Sequence, residues 1–422
     1  MKVLEATPYI YVSGHKHASR NKSGLAYMVR DIVDMLNVNG ADIYVLTQSI
    51  FTKEKKVNKW RLVHKGIYDL LFNVKLLYIK KALEIIKYNK YPLKFNLRIL
   101  LYFLTGGYME KVIEKIKPDI VHIHGIGLYT LPFIYACAVK NIPFIVTLHG
   151  LISFDDSVGA TSFDCIIEKE FLKLSVIKNL PITVISSGIK EKIKSFLQQE
   201  CSNIKVILNS INDTNIDITN NIIQNKKCKS VLSVGSVCDR KNQIQVIRAF
   251  NELNRMNYND LTLTIIGDGE IIPLLKEYCN KNRIHNVFFT GAIPRDEVDK
   301  YYNNSDLLVL ASKDEGFGLP VIEAYKYGVP VVAFSDLDAI PDLYNPNCMI
   351  LVDERTDEAL AYGIKEALEK KWDKEYINKY VSKFDSKIIR KQYYNALLEV
   401  NKTSINVKDV DLLLFESLKK IL

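Results

Sequence analysis

Short β-branched runs with no polar alternation recur along the chain, and each is followed by a stretch of helix-length amphipathic pattern. The first half carries IYVLT (43–47), PDIVHIHG (118–125), PFIVTLHG (143–150), PITVISS (181–187) and IKVILNS (204–210). The second carries SVLSVGSV (230–237), LTLTIIGDG (261–269), NVFFTGAI (286–293), SDLLVLAS (305–312), PVVAFS (330–335) and CMILVD (348–353). A strand that is apolar at every position is buried on both faces, as happens when helices cover both sides of a parallel sheet. Parallel neighbours must be joined by long, right-handed crossovers, usually helical. The rhythm therefore predicts an α/β chain of two doubly wound, Rossmann-like domains. A length of 422 residues also exceeds what one core ordinarily serves.

The Asn-rich, polar stretch INDTNIDITNNIIQNKKCK (211–229) marks the linker. The domains are then expected at 1–210 and 230–385, with a helical segment at 386–422. Hydrophobic residues make up 48% and charged residues 25%, which suits a folded soluble protein. No run reaches the roughly 18 uncharged apolar residues of a membrane span. The N-terminal MKVLEATPYIYV reads as a buried strand, since it has an early Glu and no small-residue cleavage site. Seven cysteines scattered singly, with no C-x-x-C, point to reduced core thiols and a cytoplasmic setting.

The net charge of +9 is concentrated in one block. Between Phe51 and Thr105 stand thirteen Lys/Arg against three acids, an excess of ten that leaves the remainder of the chain at −1. So local a surplus argues against a nucleic-acid-binding protein and for an anionic surface as partner. Within the block, LLFNVKLLYIKKALEIIK sets Leu, Ile, Phe and Tyr among lysines at helical spacing. Two readings stand: an amphipathic element at an anionic membrane surface, or an inserted helical pair with its apolar side on the first domain and its lysines solvated.

The densest chemistry lies in DEGFGLPVIEAYKYGVPVV (314–332). A Gly-Phe-Gly turn leads to Leu319-Pro320, and Pro is favoured at the first helical position because its missing N–H is not needed there. A helix N-terminus directly after the strand SDLLVLAS is an anion site at the carboxyl end of a parallel sheet. Glu315, before the glycines, has the chemistry to accept hydrogen bonds from a polyhydroxyl group. Glu323, one turn into the helix, has that of a ribose-diol acceptor. In VGSVCDRKNQ (234–243), Gly235 and Ser236 end a strand, and Arg240 and Lys241 put two cations where a diphosphate could lie. Ser23-Gly24 forms a turn at a helix start after the first strand. A phosphate flanked by sugars is the composition of a nucleotide sugar.

E-G-F-G-L-P-x-x-E-A, with Glu315 and Glu323 eight apart, resembles the E-x7-E signature of retaining GT-B glycosyltransferases of the family 4 type. The resemblance extends through K-P-D-I-V-H-I-H, T-L-H-G, V-I-S-S, the R-K-N loop, I-I-G-D-G and F-x-G-x-I-P, which includes Ile293. It implies two Rossmann-like domains facing a cleft, with a donor site built from the second. Glu315 would contact donor-sugar hydroxyls and Glu323 the ribose hydroxyls. Amides around Gly316, Phe317, Gly318 and Leu319 would meet the distal phosphate. Lys241 would neutralise the diphosphate, and His149 of T-L-H-G would approach the donor sugar near the transfer centre. No cofactor or metal is implied. The donor is a nucleotide sugar, UDP by family frequency, and the acceptor a glycan or lipid-linked glycan in polysaccharide or glycoconjugate synthesis. Such acceptors favour a peripheral position at the inner face of the membrane.

The chain departs from the pattern in places. Ser236 stands where relatives often carry Arg, Asn209-Ser210 replaces an N-G pair, and the N-terminal glycine-rich loop is reduced to Ser23-Gly24. Asp336-Leu337-Asp338 spells D-x-D but follows a strand as a solvated loop would, and His122 and His124 are read as structural histidines. Two rivals remain: a non-catalytic nucleotide-sugar-binding partner subunit, and a sugar phosphorylase or epimerase on the same fold. Intact Glu315, Glu323, Lys241 and His149 weigh against the first, and the F-G-L-P context of the motif against the second.

Overall fold

The computed structural model describes residues 1–15, 18, 24–48, 53, 55–88, 92–154, 163–212, 228–258, 260–400 and 405–412. Ser23, the stretch 49–52, most of the expected linker (213–227) and the tail beyond 412 lie outside the described residues. The chain divides into two compact units. One comprises Met1–Ile185, Ile189–Ile207 and Ile389–Leu422, and the other Ser186–Gly188 and Leu208–Ile388.

The first unit is built on an eight-stranded sheet in the order β3-β4-β2-β1-β5-β6-β7-β8. Its strands are β1 (Lys2–Thr7), β2 (Asp42–Thr47), β3 (Lys55–Val57), β4 (Trp60–Leu62), β5 (Ile120–His124), β6 (Phe144–Leu148), β7 (Ile182–Val184) and β8 (Ile204–Val206). All pairings are parallel except β3 with β4. Strands β5, β6 and β7 are buried at every position, as apolar runs without alternation require. Strand order reverses between β1 and β5, whose register sets Glu5 beside His122.

The second unit is a six-stranded, wholly parallel sheet in the order β11-β10-β9-β12-β13-β14. The strands are β9 (Lys229–Val234), β10 (Leu261–Ile266), β11 (Val287–Gly291), β12 (Leu307–Leu310), β13 (Val331–Phe334) and β14 (Met349–Val352). Counted within the unit this is the 3-2-1-4-5-6 order of a dinucleotide-binding sheet, with its reversal between β9 and β12.

The basic block departs from a helical insertion. It begins as a hairpin that lengthens the sheet, with Asn58 in the left-handed conformation (φ 54°) at its turn. Trp60 and Leu62 point inward around the exposed Arg61, and Trp60 Nε1 donates to Asp34 Oδ1 at 2.8 Å. Three-residue strands are too short for a period of two to stand out in sequence. The helices Ile67–Leu71, Leu76–Tyr88 and Leu93–Ile116 follow, the last running unbroken past the expected boundary at Thr105. At the far end, the helix Ser386–Leu398 returns Tyr393 to the first unit, 2% exposed and with its ring 6.1 Å from that of His122.

Backbone contacts lock the loops at the carboxyl edge of the second sheet. Gly235 N donates to Ile266 O at 2.9 Å, and Val237 N to Asp268 O at 2.9 Å. Gly235 (φ 141°) and Gly267 (φ 138°) adopt backbone conformations that side chains rarely take, and a Cβ on Gly267 would stand 1.9 Å from Gly235 O. Gly267→Ala is expected to destabilise this unit by about 2–4 kcal/mol, through strain together with a backbone clash. Denaturant unfolding of the variant checks this; wild-type stability would show that the loops do not depend on the close approach.

Candidate active site

Two loops meet at the reversal point of the second sheet, one after β9 and one after β12. In the first, a short 3-10 turn over Asp239–Lys241 ends at Asn242, which is left-handed at φ 54°. In the second, Gly318 (φ 81°) begins the helix Leu319–Lys326, with Pro320 in its first turn. The loops are bound to each other throughout. Lys313 N donates to Arg240 O at 2.8 Å, Arg240 Nη1 to Asp314 O at 2.9 Å, and Asn242 Nδ2 to Ala311 O at 3.2 Å. Lys313 Nζ also bridges both oxygens of Asp239, at 2.7 and 2.8 Å.

At the centre, Lys241 Nζ forms an ion pair with Glu315 Oε2. The other oxygen, Oε1, accepts from Gly318 N at 3.2 Å. Glu315 is 9% exposed. Burial alone would raise its pKa, but the charge and hydrogen bond of Lys241, helped by Arg240, hold it below the usual carboxylate value. A buried charge pair of this kind breaks at high cost if one member is removed. Phe317 anchors the turn, 2% exposed, its ring edge-on to Phe384 with centroids 5.9 Å apart.

Glu323 is presented from the helix by groups that no motif indicated. Its Oε2 accepts from the buried Tyr302 hydroxyl at 2.9 Å, and Arg295 Nη2 stands 3.5 Å from Oε1. Burial, then the Glu323 charge, pushes the Tyr302 hydroxyl well above its ordinary value, so it remains a donor. Ser236 is held by Gln243, whose Nε2 donates to its carbonyl at 2.9 Å. Ile293 is half-buried between β11 and the helix Arg295–Asn303. Asp336 of the D-x-D sequence accepts a bidentate pair from Arg355, at 2.7 Å on each oxygen, and Arg355 Nη1 also reaches Ser312 O at 3.0 Å.

The first unit holds the other candidate, His149, just beyond β6. Its Nε2 lies 3.0 Å from His124 Nδ1, and His124 Nε2 lies 2.8 Å from Glu5 Oε2. His122 Nδ1 stands 2.9 Å from the same oxygen, off the hydrogen-bonding direction, and its Nε2 meets Thr147 Oγ1 at 2.7 Å. Gly24 is exposed at the start of the helix Gly24–Val38. His122 and His124, two apart on β5, thus face one fully buried carboxylate. Nothing in the sequence of β1 marks Glu5 as their partner, because strand pairing alone joins residues so distant.

Burial by itself would raise the Glu5 pKa, but the imidazoles outweigh it, His122 foremost, and hold it down at about 2. Burial, then His122, lowers His124 to about 4 against the pull of Glu5. Burial, then His124 and His122, drives His149 well below its ordinary value. Both His124 and His149 are therefore neutral at pH 7. Glu5, His122 and His124 also offer the donor types of a metal site, with ligand atoms within 4.8 Å of one another. Around a tetrahedral ion at about 2.0 Å, ligand atoms stand roughly 3.3 Å apart. The 2.8 and 2.9 Å separations are shorter: His124 is hydrogen-bonded to Glu5, and His122 is in close electrostatic contact with the same oxygen.

This network has a consequence for stability. Unfolded, His124 takes its proton near 6.5; folded, only near 4. The stability it contributes is complete above 6.5 and is lost as pH falls towards 4, a loss of roughly 3 kcal/mol. Urea unfolding between pH 7 and 4 is expected to show this decline, and His124→Gln to flatten it. An unchanged slope in the variant would assign the decline to another group.

Comparison with known proteins agrees with the fold. The family model described as Glycosyltransferase Family 4 matches residues 22–215, and that described as Glycosyl transferases group 1 matches residues 216–384. An uncharacterized glycosyltransferase of Haemophilus influenzae is 31% identical over 293 residues, 67% of this chain and 76% of the relative. The alpha-monoglucosyldiacylglycerol synthase of Streptococcus pneumoniae is 25% identical over 359 residues, 81% of this chain and 72% of the relative. Among solved structures, Anabaena Alr3699/HepE in complex with UDP and glucose shares the fold with a TM-score of 0.63 at 15% identity, over 94% of this chain and 100% of that one. With both family models matched in tandem and both sheets doubly wound, the chain belongs to the group 1 glycosyltransferases of the GT-B fold.

Proposed function

We propose that the protein is a retaining hexosyltransferase that takes its sugar from a nucleoside-diphosphate sugar, UDP-linked, and passes it to a lipid-linked or glycan acceptor at an anionic membrane surface. The observation that carries this reading is the buried Lys241–Glu315 pair beside the N-terminus of the helix Leu319–Lys326, at the reversal point of a parallel sheet. That is where doubly wound sheets bind nucleotides. The bound UDP and glucose of the Anabaena structure support the choice of donor.

In this scheme the diphosphate lies against the first-turn amides of the helix and against Lys241 and Arg240, and the ribose diol bonds to Glu323. As the bond between the anomeric carbon and the diphosphate oxygen breaks, negative charge develops on the leaving group and positive charge on the sugar ring. The cations and the helix dipole stabilise the leaving group without reorganising. The acceptor hydroxyl forms the new bond on the same face, and its proton passes to the departing phosphate oxygen. Glu315 holds sugar hydroxyls and forms no covalent adduct. His149 contacts the donor sugar.

Phosphate held by Lys241 would compete with Glu315 for its ammonium, so donor binding and the freeing of Glu315 Oε2 go together. Equilibrium binding of UDP, GDP and ADP tests the site. UDP is expected to bind, and Lys241→Ala and Glu323→Ala to weaken it. Lys241→Ala is expected to lower turnover about a hundredfold, the size of losing one preorganised donor to a developing anion. Wild-type UDP affinity and turnover in both variants would remove these residues from the site.

Support for the membrane comes from the basic block. Tyr68, Leu71, Phe72, Leu76, Leu93 and Leu97 are exposed, Phe72 at 82%, among the exposed Lys80, Lys94 and Arg98. Large apolar side chains set among lysines suit insertion at an anionic interface. No helix among the described residues is long and apolar enough to cross a membrane. The lipid product in the name of the S. pneumoniae relative points the same way. The chain is expected to sediment with vesicles of phosphatidylcholine and phosphatidylglycerol but not with phosphatidylcholine alone, and a Phe72→Asp, Leu93→Asp double variant to lose this preference. Equal sedimentation with both vesicle types would return the block to an ordinary packed element.

A further inference from the structure

We infer that Glu5 is a positioning residue that sets, through His124, which ring nitrogen of His149 carries the proton. The geometry leaves one assignment. The Glu5 carboxylate can only accept, so His124 Nε2, 2.8 Å from it, carries a hydrogen. Burial keeps His124 neutral, and a neutral imidazole has one N–H, so with Nε2 protonated its Nδ1 is bare. That bare nitrogen faces His149 Nε2 at 3.0 Å, and the contact is a hydrogen bond only if His149 donates. The hydrogen of neutral His149 is thereby placed on Nε2, and its Nδ1 presents a lone pair.

That Nδ1 is shielded from solvent and has no hydrogen-bond partner among the described residues. A buried, unsatisfied acceptor is costly to maintain, and a hydroxyl hydrogen would satisfy it. On the proposed reading of His149 as a contact to the donor sugar, which this inference extends, the sugar supplies that hydroxyl. The chain runs from a carboxylate on β1 through β5 to the end of β6, crossing three neighbouring strands of the sheet. Its effect is to make His149 an acceptor for a neutral sugar group and to deny it the role of donor at Nδ1. Without Glu5, either nitrogen of His124 could hold the proton, and His149 would follow.

Long-range 1H–15N spectra of the full chain with labelled histidine distinguish a bare ring nitrogen from a protonated one, and His149→Gln identifies the His149 signals. The wild type is expected to show His149 protonated at Nε2 and bare at Nδ1 without any donor present. Glu5→Leu is expected to mix the two tautomers and lower kcat about tenfold, the worth of one hydrogen bond. Glu5→Gln, whose amide oxygen can still accept from His124, is expected to restore both. A wild-type His149 protonated at Nδ1 would overturn the inference, as would an unmixed tautomer in Glu5→Leu or a mixed one with unchanged kcat. If Glu5→Leu does not fold, the wild-type spectrum still decides the assignment. A wild type that turns over no nucleotide sugar refutes the functional reading alone, since the tautomer is read without substrate.

Discussion

Parallel strands can be joined only by crossovers, and that requirement underlies everything else in this protein. Crossovers place helices on both faces, which buries the strands and lets them be apolar at every position. They also gather all strand ends of one polarity at one edge. Where strand order reverses, adjacent crossovers depart to opposite faces, and the two loops beside the reversal are left facing each other. In the second unit these loops carry Lys241 and Glu315. In the first, the reversal sets Glu5 against His122 and His124.

The two units hold buried charge in different ways. Glu315 is ionised because a cation lies against it and a backbone amide reaches its second oxygen. Such a pair is weak evidence of stability, because desolvation offsets most of its attraction. On the proposed reading it is a binding site whose own groups satisfy each other. Glu5 has imidazoles instead of a cation partner of fixed charge, and burial keeps His124 and His149 neutral. The carboxylate then orders the protons of its neighbours. Low local dielectric strengthens both arrangements and makes each costly to leave incomplete.

Much of the second unit could be read from residues in order, since its signals are local. A glycine turn, a proline and two glutamates within one loop and helix carry the proposal of an anion and polyol site without reference to the rest of the chain. The partners of those residues were hidden. Tyr302 and Arg295 reach Glu323 from a neighbouring helix, and Arg355 reaches Ser312 from beyond β14. The hairpin at Lys55–Leu62 escaped because six strand residues around a turn give too few periods, and the net of lysines there looks helical. His122 and His124 are visible in the sequence as a pair two apart on one strand, but their common partner Glu5 is not.

What the sequence by itself determined is the class of sheet, the succession of elements and the chemistry of each loop, because patterns of burial and turn residues act over a few positions. Tertiary structure alone decided which of those loops face each other, that Lys241 pairs with Glu315, and that the helix Ser386–Leu398 brings Tyr393 back to the first unit. It alone made Glu5 a neighbour of His124 across 119 positions of chain. Strand pairing selects partners by geometry, and any apolar strand of suitable length satisfies its local pattern. Only the closing of the whole sheet settles which carboxylate meets which imidazole.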